Sequence, residues 1–290
     1  MNFWLVLAVN SVTFGGLLFL LSAGFSLIFG LMRIPNLTHG SLFMLGAYFG
    51  AALIIGVAGV KLNFWLAAIL ATLLVAILGA LTERFLLRKL PGDALAQVLV
   101  TLGIAFIIAD TCVWIWTGDP RPLPMPRELA GAFRVSNLAF PIYRLFVIGV
   151  AFALAAALWF LLERSRLGAM IRAGVDDLAM ARAMGIRTSL LFSAVFCLGS
   201  ALAGAGGVLA GPILSVYPGL DSDMLPLALV VVILGGVGSL LGAFVGSLII
   251  GFIYSYGQAL FPDLAYVILF LPMVLVLTLR PTGLFGRQAI

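Results

Sequence analysis

Long apolar runs separated by short polar breaks dominate the chain, and the run lengths predict its elements. A helix needs roughly 20 apolar residues to cross the hydrocarbon of a bilayer. Expected spans cover about Leu5 to Leu31, Ser41 to Val57, Phe64 to Leu81 and Ala96 to Trp116. Beyond a proline-rich interruption, further spans are expected from Pro141 to Leu162, Leu190 to Leu209, Leu240 to Gln258 and Leu264 to Leu279. The run from Leu225 to Leu234 is too short to cross alone and reads as a half-span or a short tilted span. The first span carries Asn10, Ser11, Thr13, Gly15, Gly16, Ser22, Gly24 and Ser26. Small and hydroxyl residues of this kind let helices approach closely and bond to one another. Gly46 and Gly50, and again Gly242 and Gly246, have GxxxG spacing. Two short breaks interrupt the apolar pattern, PNLTHGS at 35–41 and LGGVGS at 234–239. Interrupted helices in two halves of a transporter point to a substrate site between them.

The longest polar stretch between apolar runs is Glu163 to Thr188. It holds Arg164, Arg166, Arg172, Arg182 and Arg187 with Glu163, Asp176 and Asp177. Gly174 and Val175 are expected to break the preceding structure. Asp176 or Asp177 then caps a new helix and sets negative charge in its first turn. Leu178 to Met184 is a run of good helix formers, and Gly185 stands where a left-handed C-terminal cap is expected. A two-turn helix in a basic loop is the prediction. The other long polar stretch, Thr117 to Pro141, contains Pro120, Pro122, Pro124 and Pro126, which excludes a long helix and predicts an extended loop or short cap.

Composition agrees with this pattern. The chain is 63% hydrophobic and 9% charged, whereas soluble domains carry about 25% charged residues. Ten-residue strands of alternating polarity, the mark of a membrane barrel, do not occur. An all-α polytopic bundle of about eight or nine spans is expected, occupying 1–290 as one transmembrane domain without a soluble domain. The start of the chain, MNFWLVLAVNS, lacks the basic region of a cleaved signal and reads as mature sequence. The net charge of +5 comes from loop arginines, so it reports topology rather than nucleic-acid binding. One side would receive Arg33, Arg84, Arg88, Lys89, the five arginines of 163–188, Arg280 and Arg287. The other would receive Lys61, Arg121, Arg127, Arg134 and Arg144. The positive-inside rule then puts 163–188 and the C-terminus in the cytoplasm and the 117–141 loop outside. An external N-terminus requires an odd number of crossings, so Leu225–Leu234 would have to contribute a ninth.

Candidate chemistry is sparse. Neither lysine, Lys61 after Val60 or Lys89 after Arg88, sits in a G-x-x-x-x-G-K-[ST] phosphate loop. Paired intramembrane charges of the kind seen in proton-driven carriers are not evident. Asp110 is the one acid well inside a long apolar run, either a polar anchor bonded to a neighbouring helix or a contact for a substrate amine or ion. His39, the one histidine, either bonds backbone groups freed at the first break or belongs to the transport path with Asn36 and Gly40. The glycine clusters at 204–211 and 235–242 are close-packing devices, although Gly235 and Gly236 are also candidates to line a path. Asn36–Leu37–Thr38 matches a glycosylation sequon but falls on the inferred cytoplasmic side. Cys112 and Cys197 lie in apolar runs as small hydrophobes, with neither metal nor disulfide spacing.

Several stretches together resemble one family. They are GFSLIFGLMRIPNLTHGSLFMLGAY (24–48), ERFLLRKL (83–90), LVTLGIAFI (99–107), RAGVDDLAMARAMGI (172–186), AGAGGVLAGPI (203–213), VVVILGGVGSLLGAFVGSLIIG (230–251) and RPTGLFGR (280–287). The chain resembles the permease subunits of branched-chain amino-acid ABC importers over almost its whole length. Leu37 and Thr38 stand where that family usually has Phe-Ala before the histidine. The resemblance implies a bacterial-type inner-membrane permease that is not itself an enzyme. Its partners would be a second homologous permease, two cytoplasmic ATPases that bind ATP and magnesium, and a periplasmic solute-binding protein. It also implies that Asp176 to Met184 is the coupling helix, with Arg172, Ala173, Gly174, Asp176, Asp177, Ala179, Arg182 and Gly185 contacting or positioning the ATPase. The solute would be a branched-chain or related amino acid, with urea or short amides as an alternative. A stand-alone channel or ion-coupled carrier is the reading from a different class, and a purely structural membrane subunit is a third.

Overall fold

The computed structural model describes residues 2–32, 36–56, 61–90, 92–135 and 138–286. Arg33, Pro35 and Arg287, together with the side chains of Val175 and Asp176, lie outside what is described. The chain forms helices α1 (Asn2–Met32), α2 (Thr38–Ile55), α3 (Phe64–Phe85), α4 (Ala94–Trp116), α5 (Ile142–Arg164), α6 (Arg166–Asp176) and α7 (Leu178–Ala183). There follow α8 (Thr188–Leu214), α9 (Leu220–Gly235), α10 (Leu240–Leu260) and α11 (Ala265–Leu279). Seven of these, α1 to α5, α8 and α10, are long and apolar enough to cross a membrane. The proline-rich loop carries a small antiparallel hairpin, β1 (Ala132–Val135) with β2 (Leu138–Pro141), in which Ala132 faces Pro141 and Val135 faces Leu138.

Local chemistry sets several of the boundaries. Asn63 caps α3 by accepting from the amide of Leu66 at 2.8 Å, and Asp93 caps α4 through Ala96 at 2.9 Å. Ser239 caps α10 through Gly242 at 3.0 Å. Each satisfies an amide that the helix itself leaves without a partner. Some boundaries differ from the expected ones. α3 runs past Leu81 to Phe85 and takes in Glu83, and α8 runs past Leu209 and through Pro212 to Leu214, leaving only Ser215–Gly219 before α9. His39 and Gly40 lie in the first turn of α2 rather than in the break before it. Gly174 and Val175 do not end a helix: both lie inside α6, with Gly174 buried, and packing there overrides glycine's weak propensity.

The core is built where α1, α2 and α8 meet. α1 is buried almost throughout, whereas α4 and α5 are mostly exposed and form the rim. Contacts at the centre run backbone to backbone. A Cβ on Gly24 would lie 2.4 Å from the carbonyl oxygen of Gly199, and one on Gly46 would lie 2.3 Å from that of Gly204. Inside a bilayer the helices gain nothing by hiding apolar surface from lipid, so close packing must hold them together. Glycine supplies that approach.

The same contacts fix the direction of each helix. α3 runs antiparallel to α8, with Gly79 against Ser200 and Gly204 against Val75. α5 does likewise, and the phenol of Tyr143 at its start donates to the carbonyl of Leu209 near the end of α8 at 2.9 Å. α1 also opposes α8, and Arg144 at the start of α5 donates to the Asn10 side chain near the start of α1. One end of the bundle therefore holds the polar 163–188 segment, the start of α8 and the 280–286 segment. The other holds the start of α1 and the hairpin. A chain that begins at one end and returns to the other needs an odd number of passages. The seven long helices with the shorter α9 and α11 make nine among the described residues, an odd number.

Gly207 tests the packing account, because a Cβ there would lie 1.9 Å from the carbonyl oxygen of Phe43. Gly207→Val should abolish monodisperse protein in detergent gel filtration. Gly103→Val, where nothing lies within 4 Å, should behave as wild type.

Candidate functional site

The polar 163–188 segment is rigidly built. Ser165 ends α5 and caps α6, accepting from the amide of Gly168 at 3.0 Å. Gly168 sits so close to the end of α5 that a Cβ would lie 2.0 Å from the carbonyl oxygen of Leu162. Arg172 reaches back across this corner, donating to that same Leu162 carbonyl and pairing with Glu163 at 3.6 Å. α6 is strongly amphipathic, as a helix lying along a membrane surface would be.

Asp177, one of the two acids expected to cap, accepts from the amide of Met180 at 2.9 Å and starts α7. The far end closes as the glycine predicts. Gly185 has φ +82°, its amide bonds to Arg182 at 3.0 Å, and the amide of Ile186 bonds to Ala181 at 3.1 Å. This pair of bonds is the Schellman pattern, which satisfies the last carbonyls of a helix. Arg182 then crosses to α8, donating from Nε to the hydroxyl of buried Thr188 at 3.1 Å. Ala173 and Ala179 are exposed on α6 and α7, and so are Met180 and Met184, at 59% and 76%. α7 is thus a small capped helix with an apolar outer face, tied at one end to α5 through α6 and at the other to α8.

A second strut meets α8 just beyond. Glu83, 1% exposed at the end of α3, takes both Nε and Nη2 of Arg88 at 3.2 and 3.3 Å and the hydroxyl of Ser193 at 2.6 Å. Arg88 also donates to the carbonyl of Ser189 at 2.9 Å. The α3–α4 connection is thereby fastened to the first turns of α8.

The residues proposed for a path separate into three places. Asn36, His39 and Gly40 stay together. The Asn36 side chain caps α2 by accepting from Thr38 at 3.2 Å, while its Nδ2 has no partner. His39 is fully buried, with Nε2 3.0 Å from the carbonyl of Leu21 and its ring edge-on to Phe25. A carbonyl only accepts, so Nε2 carries the proton. Leu21 lies within regular α1, so His39 links two helices instead of bonding groups freed at the break. Gly40 abuts the start of α9, where a Cβ would lie 2.8 Å from that of Leu225. Gly235 and Gly236 are elsewhere, clamped by the 280–286 segment: Leu284 and Phe285 donate their amides to Leu234 and Gly235 at 2.9 and 3.0 Å. Asp110 is exposed on the outer face of α4, away from both.

Asp221 joins the first of these places, although its residue type and position alone do not mark it. Its carboxylate is buried and accepts from the hydroxyl of Ser41 at 2.9 Å, and next to it Asp223 accepts from the phenol of Tyr217 at 2.6 Å. Two acids opening a segment too short to span were the available signal. No group of three or more His, Cys, Asp or Glu able to hold a metal occurs among the described residues.

Fold and site together define a polytopic α-helical membrane protein with helices that start inside the bundle and a capped helix in its polar loop. A family model described as the branched-chain amino acid transport system permease component matches residues 7–277, and the chain belongs to that family. Among its relatives is the high-affinity branched-chain amino acid permease BraD of Pseudomonas aeruginosa, 29% identical over 97% of this chain and 95% of BraD. LivH of Escherichia coli K12 is 28% identical with the same coverage, and the probable LivH of Methanocaldococcus jannaschii is 26% identical over 83% of this chain and 77% of its own. Among solved structures, PsaBC from Streptococcus pneumoniae in complex with Fab aligns with 91% of this chain and 87% of its own, at 14% identity and a TM-score of 0.45.

The strut gives a stability prediction. Glu83→Ala strands Arg88, whose side chain is 38% exposed, so solvent recovers part of the loss. The expected destabilisation is about 1–2 kcal/mol, read as a lower thermal unfolding midpoint in detergent, while exposed Arg84→Ala leaves the midpoint unchanged.

Proposed function

We propose that this chain is a membrane subunit of an ATP-driven importer for branched-chain or related amino acids. Its α7 is the element that receives motion from a separate ATPase. The observation that carries the coupling role is the construction of α7. It is capped at both ends, apolar outward through Met180 and Met184, and fixed to α5 by way of α6 and to α8 by Arg182 and Thr188. A helix held in this way moves as a unit and drags two spans with it, which is what a mechanical input requires.

The substrate class is carried by the relatives, which are named for branched-chain amino acids over nearly their full length. In this reading the basic end of the bundle, with the polar loop and the 280–286 segment, is cytoplasmic, following the positive-inside rule. Two ATPases loaded with ATP and magnesium dock there. A second homologous permease completes the translocation path, and a periplasmic binding protein delivers the amino acid to the hairpin end. Asn36, His39 and Gly40 are proposed to shape the inner part of the path, since helix starts inside a bundle are where transporters place their sites. Hydrolysis belongs to the ATPases, and this chain contributes binding, passage and transmission.

Gentle solubilisation from the native membrane tests this reading. An ATP-hydrolysing subunit should copurify with wild type and be lost when Met180 and Met184 are both changed to Glu, with gel filtration of the permease unchanged. Liposomes holding the intact complex should accumulate leucine only with ATP and the binding protein. Wild type emerging without a partner and carrying solute without ATP would overturn the proposal in favour of a channel or ion-coupled carrier.

A further inference from the structure

The start of α9 lies within the bundle, not at its end. Thr38, the first residue of α2, donates its hydroxyl to the carbonyl of Thr101 at 2.9 Å, about two turns into α4. Ser41 stands one turn further along α2 and bonds Asp221 in the first turn of α9. A carboxylate is thus held inside a membrane-embedded bundle, where an uncompensated charge is expensive.

Its surroundings leave that charge incompletely matched. Ser41 serves Oδ2, while the buried Oδ1 has no partner. The phenol of Tyr48, 1% exposed, also has none. Tyr48 lies two turns beyond Ser41 on the same face of α2, and helical side chains lean toward the helix N-terminus, which carries its ring back toward Ser41. Ser41 thereby seats Asp221 on the face of α2 that Tyr48 shares. Arg121 is engaged elsewhere, its guanidinium bonding Thr117 at 3.5 Å and its backbone pairing with Val216. The positive end of the α9 dipole lies beside Asp221 without giving Oδ1 a hydrogen-bond donor. What the three groups lack is a compact cation.

We propose that Asp221, Tyr48 and Ser41 form a site for an ammonium-type cation, either the ammonium group of the transported solute or a small free monovalent cation. The first source rests on the amino-acid import reading; the site itself does not. Asp221 supplies the charge and an acceptor, Tyr48 a second acceptor, and Ser41 holds the carboxylate in place.

Trp116 provides a reporter, since its ring lies 5.1 Å from that of Tyr48. The permease is purified with whatever subunits accompany it, and its tryptophan fluorescence is titrated with L-leucine, methylammonium chloride, sodium chloride and 4-methylpentanoate, which is leucine without its amine. Trp116→Phe should remove the signal. A saturable response to leucine and methylammonium, with none to 4-methylpentanoate, assigns the site to the solute's ammonium group. A saturable response to sodium chloride with no further effect of leucine assigns it to a free cation. In either case Asp221→Asn should abolish the response and Tyr48→Phe should weaken binding about tenfold. No response to any probe, an equal response to 4-methylpentanoate, or unaltered affinity in folded Tyr48→Phe would overturn the proposal. A methylammonium response in a protein that shows neither partner ATPase nor leucine uptake would keep the site and remove the import reading.

Discussion

Backbone-to-backbone contact among α1, α2 and α8 is the constraint on which the bundle depends. Gly24 meets Gly199, Gly46 meets Gly204, and Gly207 lies against the carbonyl of Phe43. In water a helix bundle is driven together by hiding apolar surface. In hydrocarbon that drive is missing, and dispersion over close surfaces has to replace it. Side chains at these positions would hold the helices apart and dissolve the contact. The rim helices α4 and α5 need less of this, and their outer faces carry large side chains such as Phe106, Trp114 and Phe160.

A tightly packed centre also fixes where the chain can be irregular. Backbone that leaves a helix inside a membrane must find its hydrogen bonds within the protein. The start of α2 does so with the Asn36 side chain and the hydroxyl of Thr101, which accepts from the amide of Leu37 at 3.3 Å, and the start of α9 lies against Gly40 and Ser41. The turn before α10 is covered by the 280–286 segment and by Ser26, which accepts from the amide of Gly238 at 3.1 Å. Irregular backbone and buried polar groups thus fall at the same few places.

In the proposed import reading, the polar end makes this architecture a lever. α6 turns back on α5, α7 is capped independently, and Arg182 hands α7 on to α8. Glu83, Arg88 and Ser193 add a second fastening at the same end of α8, which is also the helix that packs against α1 and α2. A displacement of α7 therefore reaches the core along a path made of short polar contacts and close-packed backbone.

Much of this was legible in the sequence, because the bilayer imposes a length and a composition on every span. The long helices, the short α9, the cap at Asp177 and the left-handed Gly185 follow from local residue chemistry. So does the opposite placement of the two chain ends, which follows from charge. What the tertiary structure alone decided is partnership across distance. Gly174 stays helical because α6 packs there. His39 bonds Leu21, and Gly235 and Gly236 meet the far end of the chain. Asp110 turns outward, whereas Asp221 turns inward to Ser41, 180 positions away. Local pattern reports how each segment satisfies its own backbone. Which side chain meets which, and hence where a buried charge finds its partner, depends on how the helices cross.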